Sequence, residues 1–296
     1  MESWRNQPVV FWTFLLPGGL WLLGFFLAPL ALIWLYSFGE RAGPVDIVVT
    51  GTLENYLAAF DPIYLGLFWK SFWIAGLATA TALVIAFPVA LALSFAPPRA
   101  KPLLLLLVIL PFWTNLLIRT YAMIAVLRTR GYANFGLEAL WDLLGAGSGL
   151  LGIALPAFEP LALLYSNAAV VVGIVYVYLP FMVLPLYATL ERMDRSYLEA
   201  SLDLGAGHLR TFRSIVVPLA RPGIVSGVIL VMIPAFGTFL ISDLLGGPDS
   251  QLIGNVIERQ FKAANNWPLG AAMSFVLMYV TFAALALRAF LAERDA

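Results

Sequence analysis

Glu199-Ala-Ser-Leu-Asp-Leu-Gly205, followed by ten residues to Ile215 and closed by Val217-Pro218, forms a polar island between two long apolar runs. A connection of this kind faces water, yet this one carries a helical pattern, a glycine break and a proline stop. Ser196-Tyr-Leu-Glu199 has capping-box spacing: the serine can bond a first-turn amide and the glutamate can reach back. A helix from there reaches about Leu204, and Gly205 suits its C-terminus because glycine accepts positive φ. A second short helix, Gly207 to Val216, is expected to stop at Pro218. Tyr197, Ala200, Ser201 and Leu204 share one face of the first helix by i, i+3, i+4 spacing. Small residues at 200 and 201 leave room for another surface. The segment reads as a docking element for another protein. An ordinary amphipathic surface helix has the same local pattern, and capping alone accounts for Glu199.

The flanking runs say what the element is attached to. Of 296 residues, 61% are hydrophobic and 11% charged, where a soluble domain carries about a quarter charged. Uncharged runs extend over 6–39, 71–98, 102–118, 160–190, 222–242 and 263–287. A membrane-spanning helix needs about 20 mostly apolar residues. The short third run continues past Arg119 to Leu127, which makes six spans, near 10–37, 72–95, 103–126, 168–190, 222–242 and 269–291. In hydrocarbon each backbone group must be satisfied internally, so these are helices. The expected fold is an all-α integral membrane protein, one transmembrane domain over 1–296, with the polar loop at 191–221. The first run is too long for a signal segment and reads as a retained span.

Lysine and arginine placement sets the orientation. With the N-terminus inside, the inner segments hold Arg99, Lys101, Arg192, Arg195, Arg210, Arg213 and Arg221, besides Arg5, Arg288 and Arg294 near the ends. The longer outer segments hold Arg41, Lys70, Arg128, Arg130, Arg259 and Lys262. The 191–221 loop and both termini are therefore expected to be cytoplasmic. In the outer connection 128–167, the apolar stretch Gly136 to Leu144 suggests interfacial helix. Gly145-Ala-Gly-Ser-Gly149 reads as a turn.

Several chemistries are excluded. There is no cysteine and one histidine, His208, which removes thiolate chemistry and makes a histidine metal centre improbable. The net charge is zero with no basic stripe, so nucleic acid is not expected as a partner. None of Lys70, Lys101 and Lys262 sits in a Gly-x-x-x-x-Gly-Lys-Ser/Thr phosphate loop. The chain is expected to be non-catalytic, with no metal or cofactor of its own.

Glu199-Ala200-Ser201, three residues, Gly205, nine residues, Ile215 and Val217-Pro218 resemble the signature of binding-protein-dependent ABC importer permeases, with serine at 201 and valine at 217 as departures. Four further segments resemble the first permease subunit of spermidine/putrescine importers, over most of the chain. They are Pro111-Phe-Trp-Thr-Asn-Leu-Leu-Ile-Arg-Thr-Tyr121, Tyr178-Leu-Pro-Phe-Met-Val-Leu-Pro-Leu-Tyr187, Ile241-Ser-Asp-Leu-Leu-Gly-Gly247 and Leu252-Ile-Gly-Asn-Val-Ile257. The resemblance implies a type I importer fold in a bacterial inner membrane. It also implies a second permease, two ATPase subunits that hold ATP and magnesium, and a periplasmic polyamine-binding protein. It assigns the loop, with Glu199, Ala200, Ser201, Gly205, Ile215 and Pro218, to docking on the ATPase. Three other readings stay open: an importer of the same kind for an opine, phosphonate or metal complex, an ion-coupled secondary transporter, and a membrane scaffold that recruits an ATPase for another purpose.

A polyamine path needs carboxylates, carbonyls or aromatic faces that replace water around ammonium groups. Asp243, at the outer end of span five, either meets the entering cation or is an interfacial charge. Tyr176, Tyr178 and Phe181 either form a π-lined wall or pack. Trp113 and Asn115 line the cavity or pack between helices. Glu191 and Asp194 are expected to pair with arginines. Arg119 would repel a polycation and reads as structural. Prolines 88, 111, 180, 185 and 234 fall inside spans, where each removes a backbone hydrogen bond.

Overall fold

Long apolar runs satisfy their backbone groups within themselves, and the computed structural model, which describes residues 8–43, 46–149 and 156–294, is accordingly helical. Five helical stretches are long and apolar enough to cross a membrane: Val9–Tyr36, Pro62–Phe95, Asn167–Glu191, His208–Phe236 and Trp267–Phe290. A sixth candidate, Lys101–Trp113 with Leu116–Ala146, is bent by 95° at its break. By contact the chain divides into two units, one ending at Leu65 and resuming at Val256, the other running Gly66–Asn255.

The first unit begins with α1 (Pro8–Leu22), a π-helical turn (Leu23–Leu27) and α2 (Ala28–Tyr36). The strands β1 (Gly39–Arg41) and β2 (Ile47–Val49) pair antiparallel, with Gly39 opposite Val49. The short α3 (Glu54–Ala59) follows. Polar side chains fasten these pieces. The Asn55 amide donates to the carbonyls of Ser37 (3.1 Å) and Gly39 (2.8 Å), and the Trp34 indole donates to the Tyr279 hydroxyl at 2.8 Å.

The second unit holds most of α4 (Pro62–Phe95), which buries an alanine stripe at 75, 78, 82, 86 and 90. It continues through α5 (Lys101–Ile109), a 3₁₀ turn (Leu110–Trp113), α6 (Leu116–Leu127), α7 (Tyr132–Gly149) and α8 (Asn167–Glu191). The loop helices α9 (Ser196–Asp203) and α10 (His208–Thr211), a π turn (Phe212–Val216) and α11 (Val217–Phe236) come next. Then follow α12 (Leu240–Leu245) and a 3₁₀ turn (Pro248–Ser250). The helix α13 (Ile253–Lys262) crosses the unit boundary, and α14 (Trp267–Arg294) belongs to the first unit.

The seam between α8 and α11 organises the second unit. Gly223 and Gly227 lie one turn apart on α11. A Cβ at 223 would stand 2.7 Å from Thr189 Oγ1, and one at 227 would stand 2.6 Å from Met182 Sδ. Small residues four apart let membrane helices touch backbone to backbone, where dispersion replaces the missing hydrophobic force. Beside this seam, α4 meets α11 through Phe72–Phe236 and Thr79–Met232, and meets the π turn before α11 through Phe87–Phe212.

Four features differ from the expectations. The span at 103–126 is not one helix. Thr114 and Asn115 are extended, with ψ of 147° and 139°. The Thr114 hydroxyl takes the Pro111 carbonyl (2.7 Å) and the Asn115 side chain accepts from Leu117 N (2.8 Å), so both compete with the helix and start a new one. Residues 145–149 form no turn; α7 runs through them. Residues 150–155 and Arg5 lie outside the described residues.

Pro218 does not end the second loop helix, which continues through the π turn into α11. The turn is closed by Val217 N–H to Phe212 O, one residue before the proline. The wider turn accommodates the missing donor and the ring that would meet the carbonyl four residues back. Leu23–Leu27 ahead of Pro29 repeats this arrangement, with Ala28 N–H bonded to Leu23 O. Finally, span five stops at Phe236 rather than 242, and α12 is a separate helix. The irregular backbone between them is held by Asn255. Its Oδ1 accepts from Ser242 Oγ (2.6 Å) and Leu252 N (3.0 Å), and its amide donates to Phe239 O (3.1 Å). Non-helical backbone at membrane depth is tolerated where protein satisfies it in this way.

Candidate docking loop and translocation wall

The loop is built from short-range constraints. Its first helix is capped by Asp194, whose Oδ1 accepts from Ser196 N at 3.0 Å; the expected Ser196–Glu199 box is not used. These bonds to Ser196 hold the Asp194 carboxyl below the usual carboxylate range. At the other end, Gly205 has φ of +81°. Its N–H bonds to Leu202 O (2.9 Å) and Ala206 N–H bonds to Ser201 O (3.1 Å), the paired bonds of a Schellman ending. Ser201 Oγ lies 2.9 Å from the buried Thr211 Oγ1, tying α9 to α10. Thr211 was not singled out from the sequence, since a threonine ten residues away carries no pattern of its own.

Two faces result. Tyr197, Ala200 and Leu204 are exposed, Leu204 by 88%. On the opposite side Leu198, Phe212 and Val216 line a cleft of about 570 Å³ with Leu91 and Phe95. Among the remaining docking candidates, Glu199 is exposed, while Ile215 and Pro218 are half-buried at the root of α11. The loop is pinned to the end of α4 by Arg195, which donates to Ser94 O (3.2 Å) and sits 5.1 Å over the Phe95 ring. Glu191 pairs with Lys101 at 2.6 Å, not with the neighbouring arginines. Among the described residues neither Glu191 nor Asp194 is paired with an arginine, against expectation.

The candidate wall residues separate into groups. Tyr178 and Phe181 share a face of α8, and Phe112 meets Phe181 edge-on at 5.2 Å. Tyr178 lies near enough to Thr238, in the break after α11, and to Arg119 on α6 to interact with both. Both interrupted helices therefore pass near Tyr178. Tyr176, two residues away, points to another side of α8 and is 38% exposed. Trp113 is exposed beside the break, and Asn115 is the cap of α6. Asp243 is exposed on α12, which packs on α6 and α8. Arg119 is buried, and its Nε and Nη1 have no acceptor. The sequence signal of the α8–α11 seam is Gly223-Ile-Val-Ser-Gly227, two glycines four residues apart.

Comparison with known proteins covers almost the whole chain. Residues 8–294 match the family model for the inner membrane component of binding-protein-dependent transport systems. The spermidine/putrescine transport system permease protein PotB of Escherichia coli (strain K12) is 43% identical over 260 residues, 88% of this chain and 90% of that protein. PotB of Haemophilus influenzae is 42% identical over 257 residues, covering 87% and 85%. The inner membrane ABC transporter permease protein YdcU of Escherichia coli (strain K12) is 32% identical over 279 residues, covering 92% and 87%. In fold, the chain matches a chain of a bacterial ABC transporter that imports the acidic polysaccharide alginate, with a TM-score of 0.73 at 15% identity and 99% coverage of both chains. With its broken third span, its packed α8–α11 pair and its helical loop, the chain belongs to the family of binding-protein-dependent transport system inner membrane components, as a multi-pass permease subunit.

Proposed function

We propose that this subunit forms about half of a path that carries spermidine or putrescine into the cytoplasm. The observation that carries the substrate is the 43% identity, over 88% of the chain, to permeases named for spermidine and putrescine. In this reading a second permease completes the path, two ATPase subunits hold ATP and magnesium, and a periplasmic protein delivers the polyamine. The 191–221 loop and both termini face the cytoplasm, as the lysine and arginine bias supports.

The coupling runs through residues on the page. The exposed face of Tyr197, Ala200 and Leu204 docks on the ATPase, with Gly205 and Ser201 fixing its shape and Glu199 at its edge. A push on α9 passes to α4 through Arg195 and to α11 through the unbroken helix from His208. Rigid helices then open the cavity alternately to either side. Within it, Tyr178 and Phe181 offer π faces to the ammonium groups. Asp243 offers a carboxylate at the entrance, and Trp113 lies beside the break. Weak, distributed contacts suit a substrate that must also leave.

Reconstitution of the chain in vesicles with its cognate second permease, ATPase and binding protein tests the reading. ATP-dependent accumulation of labelled spermidine or putrescine is expected. A cognate binding protein that ignores both polyamines overturns the substrate. Uptake by this chain alone, driven by an ion gradient, overturns the coupling scheme.

A further inference from the structure

Arg119 lies one turn into α6, immediately beyond the break at Thr114–Asn115. It does not snorkel to an interface: the residue is 7% exposed, and its Nε and Nη1 are buried without an acceptor. Among the described residues the ion pairs are Lys101–Glu191 and Lys262–Glu258, and neither involves α6. A lone guanidinium at membrane depth is costly unless an anionic acceptor reaches it. Lipid chains offer no acceptor. A polyamine, being a cation, is repelled. A carboxylate supplied by protein takes two guanidinium donors in parallel. Around Arg119 the apolar side chains of Leu117, Ile118 and Tyr121 are exposed, with Ile118 open by 67%.

We propose that a carboxylate of the second permease subunit pairs with Arg119, so that this face of α6 is covered by that subunit rather than by lipid. The inference rests on the two-permease reading above. The residual exposed edge of Arg119 is where the carboxylate meets the guanidinium. The pair fixes the register of the two subunits beside Tyr178. It also neutralises a charge that would otherwise oppose a polycation in the path.

A photo-crosslinking residue at the exposed position 118, in the intact complex, reads the contact without disturbing Arg119. Crosslinks to the second permease are expected; crosslinks to lipid alone overturn the proposal. Arg119→Met is expected to lower recovery of the second permease with this chain at least tenfold. One Asp→Asn or Glu→Gln change in that partner should restore it. Parental recovery with Arg119→Met overturns the pair, as does a scan of the partner's acids in which none restores it. If the unaltered chain purifies with copies of itself and no second permease, the two-permease reading itself fails. That outcome is distinct from a second permease that binds without needing Arg119.

Discussion

Gly205 and Gly227 are both needed as glycines, for opposite reasons. At Gly205 the backbone is unusual, with φ of +81°, and the space around a Cβ is empty. At Gly227 the backbone is ordinary helix, and the space is filled by Met182. The loop is therefore governed by what a single residue's backbone can adopt, and the α8–α11 seam by what a neighbouring helix leaves free. A loop of the first kind keeps its shape wherever it is displayed, which suits a docking surface. A seam of the second kind exists only when both helices are in place, which suits a rigid body that transmits a push.

Substitutions can break this contrast. The largest effect is expected from Gly227→Leu, which forces a branched side chain into Met182; overpacking of this kind costs about 1–3 kcal/mol. Most of the folded subunit should be lost, measured as monodisperse protein extracted in mild detergent. Next comes Gly205→Asp: aspartate, like asparagine, tolerates the left-handed conformation, so its effect comes from placing a carboxylate in the proposed docking face. The subunit should remain in the membrane while ATP-driven uptake falls tenfold or more. Normal uptake would remove the loop from coupling. Gly205→Asn sharpens the comparison, because asparagine tolerates this conformation and should retain most of the uptake.

Asp243→Asn is expected to raise the apparent KM for polyamine uptake several-fold with assembly unchanged; unaltered kinetics would take it out of the path. Ser201→Ala removes the bond to Thr211 at a cost of about 1 kcal/mol, read as faster amide exchange in α9 and a modest loss of uptake. The smallest effect is the acid response of the Asp194 cap. Its folded pKa is depressed by the bonds to Ser196, so its contribution is full above the unfolded pKa and is lost as pH falls through the folded one. Exchange at the start of α9 should rise only in acid, and Asp194→Asn should flatten that rise.

Much was legible because it depended on neighbours in sequence. The six apolar stretches follow from the cost of burying backbone in hydrocarbon, and the Gly205 ending from glycine's freedom at φ. The helical spacing of Tyr197, Ala200, Ser201 and Leu204 gave an outward face that holds for Tyr197, Ala200 and Leu204, while Ser201 turns in toward Thr211. The misreadings share one cause. Pro218 looked like a stop because a proline removes one bond, yet a π turn one residue earlier makes room for it, and the same device recurs at Pro29. Ser196 looked like a cap, but it is the first helical residue, and the Asp194 carboxylate, two residues before it, accepts its N–H. Asn115 read as a cavity or packing residue and Thr114 carried no pattern of its own, although both side chains compete directly with the helix.

By itself, then, the sequence determined a membrane protein of six apolar segments with a structured polar loop, because hydropathy and local backbone preference act over a few residues. Tertiary structure decided which helices touch, that both breaks pass near Tyr178, and that Arg119 is buried with no acceptor for its inner nitrogens. Those outcomes depend on residues as far apart as Arg119, Tyr178 and Thr238 meeting in space. Close packing in a membrane rewards such meetings only after the helices have been brought together.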